Sequence, residues 1–203
     1  MNMQEFPANN LMFATLFHDL GMAKIPKEIL QKKEKLTKEE IVEIQNHTLH
    51  GYKLLREIGY SAIVSTGALQ HHERIDGKGY SNHVTGDKIT DIAKIIAVVD
   101  AYCAAIAERP FKDHLHAKEA LQDLLKSGGT AYDPLILREL VKNISFYPIG
   151  SFVNLSNGDI AEVSGTSGVA MRPIVKLVNN GNEEIDLSKR NDIFIKGIYS
   201  KKD

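Results

Sequence analysis

The sequence holds a single cysteine, Cys103, in 203 residues. That excludes an internal disulfide framework and suits a reducing compartment. It has no apolar run approaching the ~20 residues a helix needs to cross a bilayer. Its first residues, Met1-Asn2-Met3-Gln4-Glu5, lack the basic start and apolar stretch of a signal peptide, so a cytoplasmic location is expected. Neither sign of charge is in excess: 25 Lys and Arg face 26 Asp and Glu, for a net charge of −1. Bulk attraction to nucleic acid or acidic membranes is therefore absent, and DNA binding is not expected. Internal repeats and low-complexity tracts are missing too. What remains, 43% hydrophobic and 25% charged, is the composition of an ordinary globular protein. The length fits one domain with a smaller appendage and a core that needs no staples.

Asn9 and Asn10 can cap a helix through Leu11, Met12, Phe13, Leu16 and Phe17, apolar on most sides and expected to be buried. His18-Asp19 closes it. Pro26 opens a short turn ending near Leu30. Thr37-Lys38-Glu39-Glu40 has the form of a capping box. The helix it starts carries Ile41, Ile44, His47, Gly51, Leu54 and Ile58 on one stripe up to Gly59. Ser61 can cap the next helix, where positions 64, 68, 71 and 72 share a face, so His71 and His72 reach one interior. The helix from Ile92 to Ala107 is the most apolar, with Cys103 expected in its core and Asp100 flanked by buried neighbours. Helices over Ala117–Lys126 and Pro134–Asn143 follow, the second capped by Asp133. After Pro148 the pattern alternates. Ser151–Leu155 and Ile160–Val163 around Ser156-Asn157-Gly158-Asp159 read as a hairpin, with further strands at Arg172–Val178 and Asp192–Lys196 and a turn at Asn179–Asn182. The tail should be a sheet of three to five strands.

Six polar residues thus lie on or beside the apolar stripes of four helices: His18, Asp19, His47, His71, His72 and Asp100. Alone, each histidine reads as a satisfied core group. Together, without a common partner, they would destabilise the core severely. A pair of divalent metals resolves the conflict, with Asp19 able to bridge two ions through its two oxygens. A histidine and aspartate set without thiolate points to iron, manganese or catalytic zinc rather than structural zinc. Two ions about 3.5–4 Å apart form the usual clamp for displacement at phosphorus. Arg109 and Lys112, one helix end beyond Asp100, read either as phosphate-holding groups or as solvated charges at a terminus.

In order and approximate spacing, the assembled segments resemble the HD-GYP family, a bacterial branch of the HD phosphohydrolases, over residues 11–140. They are His18-Asp19-Leu20-Gly21, Ile25-Pro26 to Leu36-Thr37, and His47-x-x-x-Gly51. Then come His71-His72-Glu73-Arg74-x-Asp76-Gly77-x-Gly79-Tyr80, Val99-Asp100-Ala101-Tyr102 and Arg109-Pro110-Phe111-Lys112. The resemblance implies a mainly α protein: an HD helical bundle over residues 1–146, lacking the family's first helices, then a small β-rich domain over 147–203 similar to a segment that follows the bundle in some members. It implies hydrolysis of cyclic di-GMP to pGpG or GMP in bacterial second-messenger signalling. The six residues match metal ligands for two divalent ions, iron or manganese, with no support for a third. The catalytic species implied is a metal-bound hydroxide held by Asp19 and the other ligands. Arg109 and Lys112 match phosphate-binding positions, and Arg74, Asp76, Gly77, Gly79 and Tyr80 match the signature loop beside the substrate entrance. Implied partners are cyclic di-GMP, signalling domains such as GGDEF proteins, and a second copy in a homodimer.

Three departures from the family pattern qualify this. Members carry a histidine about thirty residues before the His-Asp pair; this chain begins too late to contain it, so either the chain is a fragment of a longer protein or its site is short of one ligand. Met22 stands where a lysine usually follows His-Asp-x-Gly, and Lys24 lacks an obvious route in. Ser81 replaces the signature's final proline, which should loosen the loop. Two other functions fit these departures: a degenerate module that binds nucleotide or a signalling partner without turnover, and an HD-type nucleotide phosphohydrolase acting on mononucleotides.

Overall fold

Local chemistry starts and stops most of the helices. In a computed structural model, which describes residues 7–107, 117–144, 146–169, 171–179 and 183–199, the chain forms two compact units. The first ends at Leu137 and the second begins at Arg138. The helices are α1 (Ala8–Phe17), α2 (Lys27–Leu30), α3 (Lys38–Gln45), α4 (His47–Glu57), α5 (Ala62–Gln70), α6 (Asp91–Ile106), α7 (Ala117–Lys126) and α8 (Pro134–Asn143), with 3₁₀ turns at Leu20–Lys24 and Gly86–Lys88. Thr37 and Glu40 form the reciprocal capping box of α3. Ser61 accepts from Val64 N–H at the start of α5, Thr90 accepts from Ala93 N–H at the start of α6, and Asp133 Oδ1 accepts from Leu135 N–H at 2.9 Å.

Around Ala14, Leu55, Val64, Ala68, Ile92 and Ile96, helices α1, α4, α5 and α6 share one core. Phe13 and Phe17 pack on Tyr60 at its edge, with ring centroids 5.5 and 5.4 Å apart. Closest of all is the approach of the turn at Leu20–Lys24 to α4. A Cβ on Gly21 would lie 1.9 Å from His47 O and 2.4 Å from Gly51 N. Only glycine lets the backbone after His18-Asp19 touch the first turns of α4.

Three expectations change. Helix α1 starts at Ala8 behind Pro7, with no side-chain cap. Ala14 is its one buried residue, while Met12 is 55% and Leu16 68% exposed, because α1 packs on α5 and α6 along one side only. The long helix through His47 is two helices meeting at Asn46, where Thr48 Oγ1 donates to Gln45 O at 3.1 Å and competes for a ladder acceptor. Cys103 is exposed, since the last residues buried along α6, Val98 and Tyr102, lie on another side of the helix.

The second unit carries an antiparallel sheet in the order β4-β3-β2-β1-β5. Its strands are β1 (Phe152–Leu155), β2 (Ile160–Gly165), β3 (Ile174–Leu177), β4 (Glu184–Asp186) and β5 (Ile195–Ile198). Val153 pairs with Ala161 and Val163 with Val175, so period-two alternation lines one face with buried apolar side chains. Strand β4 has no counterpart in the pattern because it is only three residues long. Most of the Asn179–Asn182 turn lies outside the described residues.

Candidate metal centre

Helix ends deliver most of the expected ligands. His18 is the C-cap of α1 and Asp19 follows it; His47 is the first residue of α4; His71 is the C-cap of α5 and His72 is next; Asp100 lies on α6. Nδ1 of His18, His47 and His71 lies 2.7, 2.7 and 2.8 Å from the carbonyl oxygens of Thr15, Ile44 and Ala68. A carbonyl only accepts, so each Nδ1 carries a proton and Nε2 is the atom each ring turns toward the others. Histidines that hold metals are oriented in this way.

Those Nε2 atoms converge on one carboxylate. Asp19 Oδ1 is 3.2 Å from His47 Nε2 and 3.5 Å from His71 Nε2, whereas Asp19 Oδ2 is 3.4 Å from His18 Nε2. Asp100 Oδ1 is 3.8 Å from the same His18 nitrogen. Asp19, His47, His71 and His72 each bring a donor atom into a group spanning no more than 4.8 Å. The six side chains therefore form two sets that share Asp19.

The donors fit a cation better than one another. Nε2 of His47 and His71 face each other at 3.3 Å, a contact that is repulsive unless something positive lies between. His18 Nε2 is buried without a hydrogen-bond partner, its nearest carboxylate oxygens being too far or misaligned. Two donors held about 2.1 Å from one ion at tetrahedral to octahedral angles stand about 3.0–3.4 Å apart, close to the spacing found here.

The two carboxylates call for positive charge at His18. Asp100 first and Asp19 second push it up to about 10, against the effect of burial, so its Nε2 carries a proton at neutral pH where no cation takes that place. His18, His47 and His71 hold Asp19 far below the usual carboxylate range. Burial, then the neighbouring His71 and His47 rings, pushes His72 down to about 3, so it is neutral and ready to coordinate.

Beside the histidines the signature loop folds back on itself. Arg74 donates to both oxygens of Asp76 at 3.1 and 2.9 Å, and Asp76 Oδ1 accepts Lys78 N–H at 3.0 Å. Gly79 is pressed so close that a Cβ would lie 2.4 Å from His72 O and 2.5 Å from Arg74 N. The Tyr80 ring lies against His72 with centroids 4.8 Å apart. The loosened end expected at Ser81 is tied one residue on, where Asn82 N–H donates to buried Glu73 Oε1 at 2.7 Å. A cavity of about 230 Å³ opens here, lined by His71, His72, Arg74, Lys78, Tyr80 and Tyr132, among others.

Arg109 and Lys112 lie outside the described residues. Lys24 lines a separate cavity with His50 and Lys53. Tyr132 was not among the expected site residues. Ile75 N–H donates to Ala131 O at 3.2 Å and Asp76 N–H to Thr130 O at 3.0 Å, which brings the tyrosine to the loop through a long-range pairing with no local signature.

The profile of the HD domain family matches residues 1–136. The chain belongs to the HD domain family. It is 33% identical over 179 residues to a cyclic di-GMP phosphodiesterase of Pseudomonas aeruginosa, covering 87% of this chain and 43% of that one. A cyclic di-GMP phosphodiesterase of Borreliella burgdorferi is 28% identical, with 80% of this chain and 43% of that protein covered. The chain thus spans less than half the length of these relatives. In fold it is similar to an HDG"Y"P protein from Bdellovibrio bacteriovorus, with a TM-score of 0.51 at 20% identity over 64% of this chain and 42% of that one. No helix among the described residues is long and apolar enough to cross a membrane.

Proposed function

We propose that this chain is the catalytic module of a metal-dependent phosphodiesterase that hydrolyses cyclic di-GMP to pGpG or GMP. The observation that carries the reading is the division of donors about Asp19: His47 and His71 at one oxygen, His18 at the other, with Asp100 behind His18. His18, Asp19, His47, His71, His72 and Asp100 would hold two divalent ions, iron or manganese as the family resemblance implies, the absence of thiolate arguing against structural zinc. Ions held there would supply positive charge against a phosphodiester oxygen and acidify water at neutral pH.

The chain's own residues supply the rest. The Thr15, Ile44 and Ala68 carbonyls keep protons on Nδ1, so three imidazoles stay oriented without paying for it at the moment of reaction. Tyr80 packs on His72 and shields one side of it from water. The cavity beside His71 and His72 leaves a phosphodiester room next to the donors. The module is read as residues 1–146, with 147–203 as an appended β domain. In the whole protein it would act in second-messenger signalling in the cytoplasm, with GGDEF-type signalling domains as partners and a homodimer as its assembly.

The test is to load the chain with manganese or ferrous iron, incubate it with cyclic di-GMP and separate products by chromatography. pGpG or GMP should form and a chelator should abolish it; a metal-loaded protein that leaves the dinucleotide intact overturns the reading. A module that binds without turnover is the second reading, favoured by Met22, half-buried in the turn after Asp19 where a cation would help hold phosphate. Tight binding with no product, unchanged by Met22→Lys, would select it. A preference for mononucleotides in a substrate panel would instead indicate a general nucleotidase.

A further inference from the structure

Among the described residues, two cations line the cavity beside the histidines, Arg74 and Lys78, and they are not equivalent. Arg74 is committed: both of its outer contacts go to Asp76, bidentate at 3.1 and 2.9 Å. That carboxylate is held down to about 2 by the guanidinium, so the pair stays ionised and closed on itself at neutral pH. Lys78 acts on Asp76 only through its charge, more weakly than the guanidinium, and its side chain is exposed.

The backbone on either side aims it. Asp76 Oδ1 takes the Lys78 N–H at 3.0 Å, and Gly79 is clamped against His72 O and Arg74 N. Residue 78 is therefore the one side chain between two glycines on a tightly tethered turn, and it borders the same cavity as His71, His72 and Tyr132.

Resting on the phosphodiesterase reading, we infer that Lys78 is a substrate-positioning cation of this chain, its ammonium gripping a non-bridging phosphate oxygen of the dinucleotide at the cavity mouth. A lysine suits the task as a mobile point charge with three donors. It acts on binding rather than on the reacting bond, so its loss weakens substrate and transition state alike.

The test compares wild type, Lys78→Met and Lys78→Arg, each loaded with manganese. For cyclic di-GMP, Lys78→Met should raise KM about tenfold while kcat moves less than threefold. Lys78→Arg should restore KM to within about threefold of wild type, because charge rather than shape is required. The rise of KM with added salt should flatten in Lys78→Met, since one fewer cation is screened. Manganese content should match wild type in both, which separates a phosphate contact from damage to the histidine cluster. A KM within twofold of wild type in Lys78→Met overturns the inference, as does failure of Lys78→Arg to rescue. If wild type hydrolyses no cyclic dinucleotide, the phosphodiesterase reading fails by itself. Binding of GMP to the manganese-loaded proteins then decides on Lys78: tenfold weaker binding in Lys78→Met upholds its phosphate contact, and equal binding removes it.

Discussion

The two units bury different things. Among the described residues, every polar or charged side chain that is buried belongs to the helical unit: His47, Thr48, Ser65, Gln70, His71, Glu73 and Lys94. The sheet buries Val153, Leu155, Ala161, Val163, Val175, Leu177 and Ile185, all apolar. A sheet covered on one face needs nothing but alternation to be stable. A helical core that accepts two imidazoles at 2% exposure or less forgoes apolar packing for chemistry. The contrast separates a unit shaped by a ligand from one shaped by its own packing, and substitutions in each should behave accordingly.

The largest expected effect is on activity. Asp19→Asn removes the charge that both donor sets share while keeping the side-chain volume. Metal content should fall sharply and cyclic di-GMP hydrolysis by about a thousandfold. The far-ultraviolet circular dichroism should not change, since the Asp19 side chain makes no capping hydrogen bond to the 3₁₀ turn it precedes. A variant that keeps its metal would mean that the histidines alone suffice and that the two-set arrangement about Asp19 is incidental.

Next is Gly21→Ala, which tests whether fold and site can be separated at all in the helical unit. The added methyl meets the backbone of His47 and Gly51, neither of which can rotate away. A loss of about 3 kcal/mol in urea unfolding is expected. Metal affinity should fall with it, because the same movement carries Asp19 away from His47. Stability lost with metal affinity intact would show that α4 yields while the ligands hold.

In the sheet unit, Leu155→Ala should cost about 2–5 kcal/mol, the range for emptying a fully buried leucine site. Metal content per folded chain should stay at the wild-type value. Metal loss in this variant would erase the distinction between the two units.

Much of this contrast was legible in the sequence because its causes are local. Thr37, Ser61 and Asp133 sit next to the helices they cap, and the strand alternation runs over four to six consecutive residues. The histidines could be grouped because they fall on or beside the apolar stripes of separate helices, His71 and His72 together on one. What stayed hidden depends on distant partners. Lys94 looks like a surface lysine in its run, yet it is 9% exposed, with Asp91 at 3.6 Å and Asp133 at 3.8 Å. Tyr132 reaches the site only because residues 130–131 pair with 75–76. Cys103 continues the apolar stripe of α6, yet burial toward that end of the helix follows Val98 and Tyr102 on another side. Periodicity says which face is apolar; how far along the helix that face is covered depends on where other elements stop.

The smallest effect should come from Ser61→Ala, and it divides the helical unit itself. Ser61 accepts Val64 N–H at the start of α5, and its loss should cost about 1 kcal/mol. His71 and His72 lie at the other end of that helix. There His71 Nδ1 is held by Ala68 O at 2.8 Å, and Tyr80 N–H donates to His72 O at 3.2 Å. Neither contact involves the first turn. Manganese affinity measured by calorimetry should therefore match wild type while the urea midpoint falls. Equal losses in both would mean that α5 transmits fraying along its whole length, and that the ligands depend on the helix rather than on the contacts made at its end.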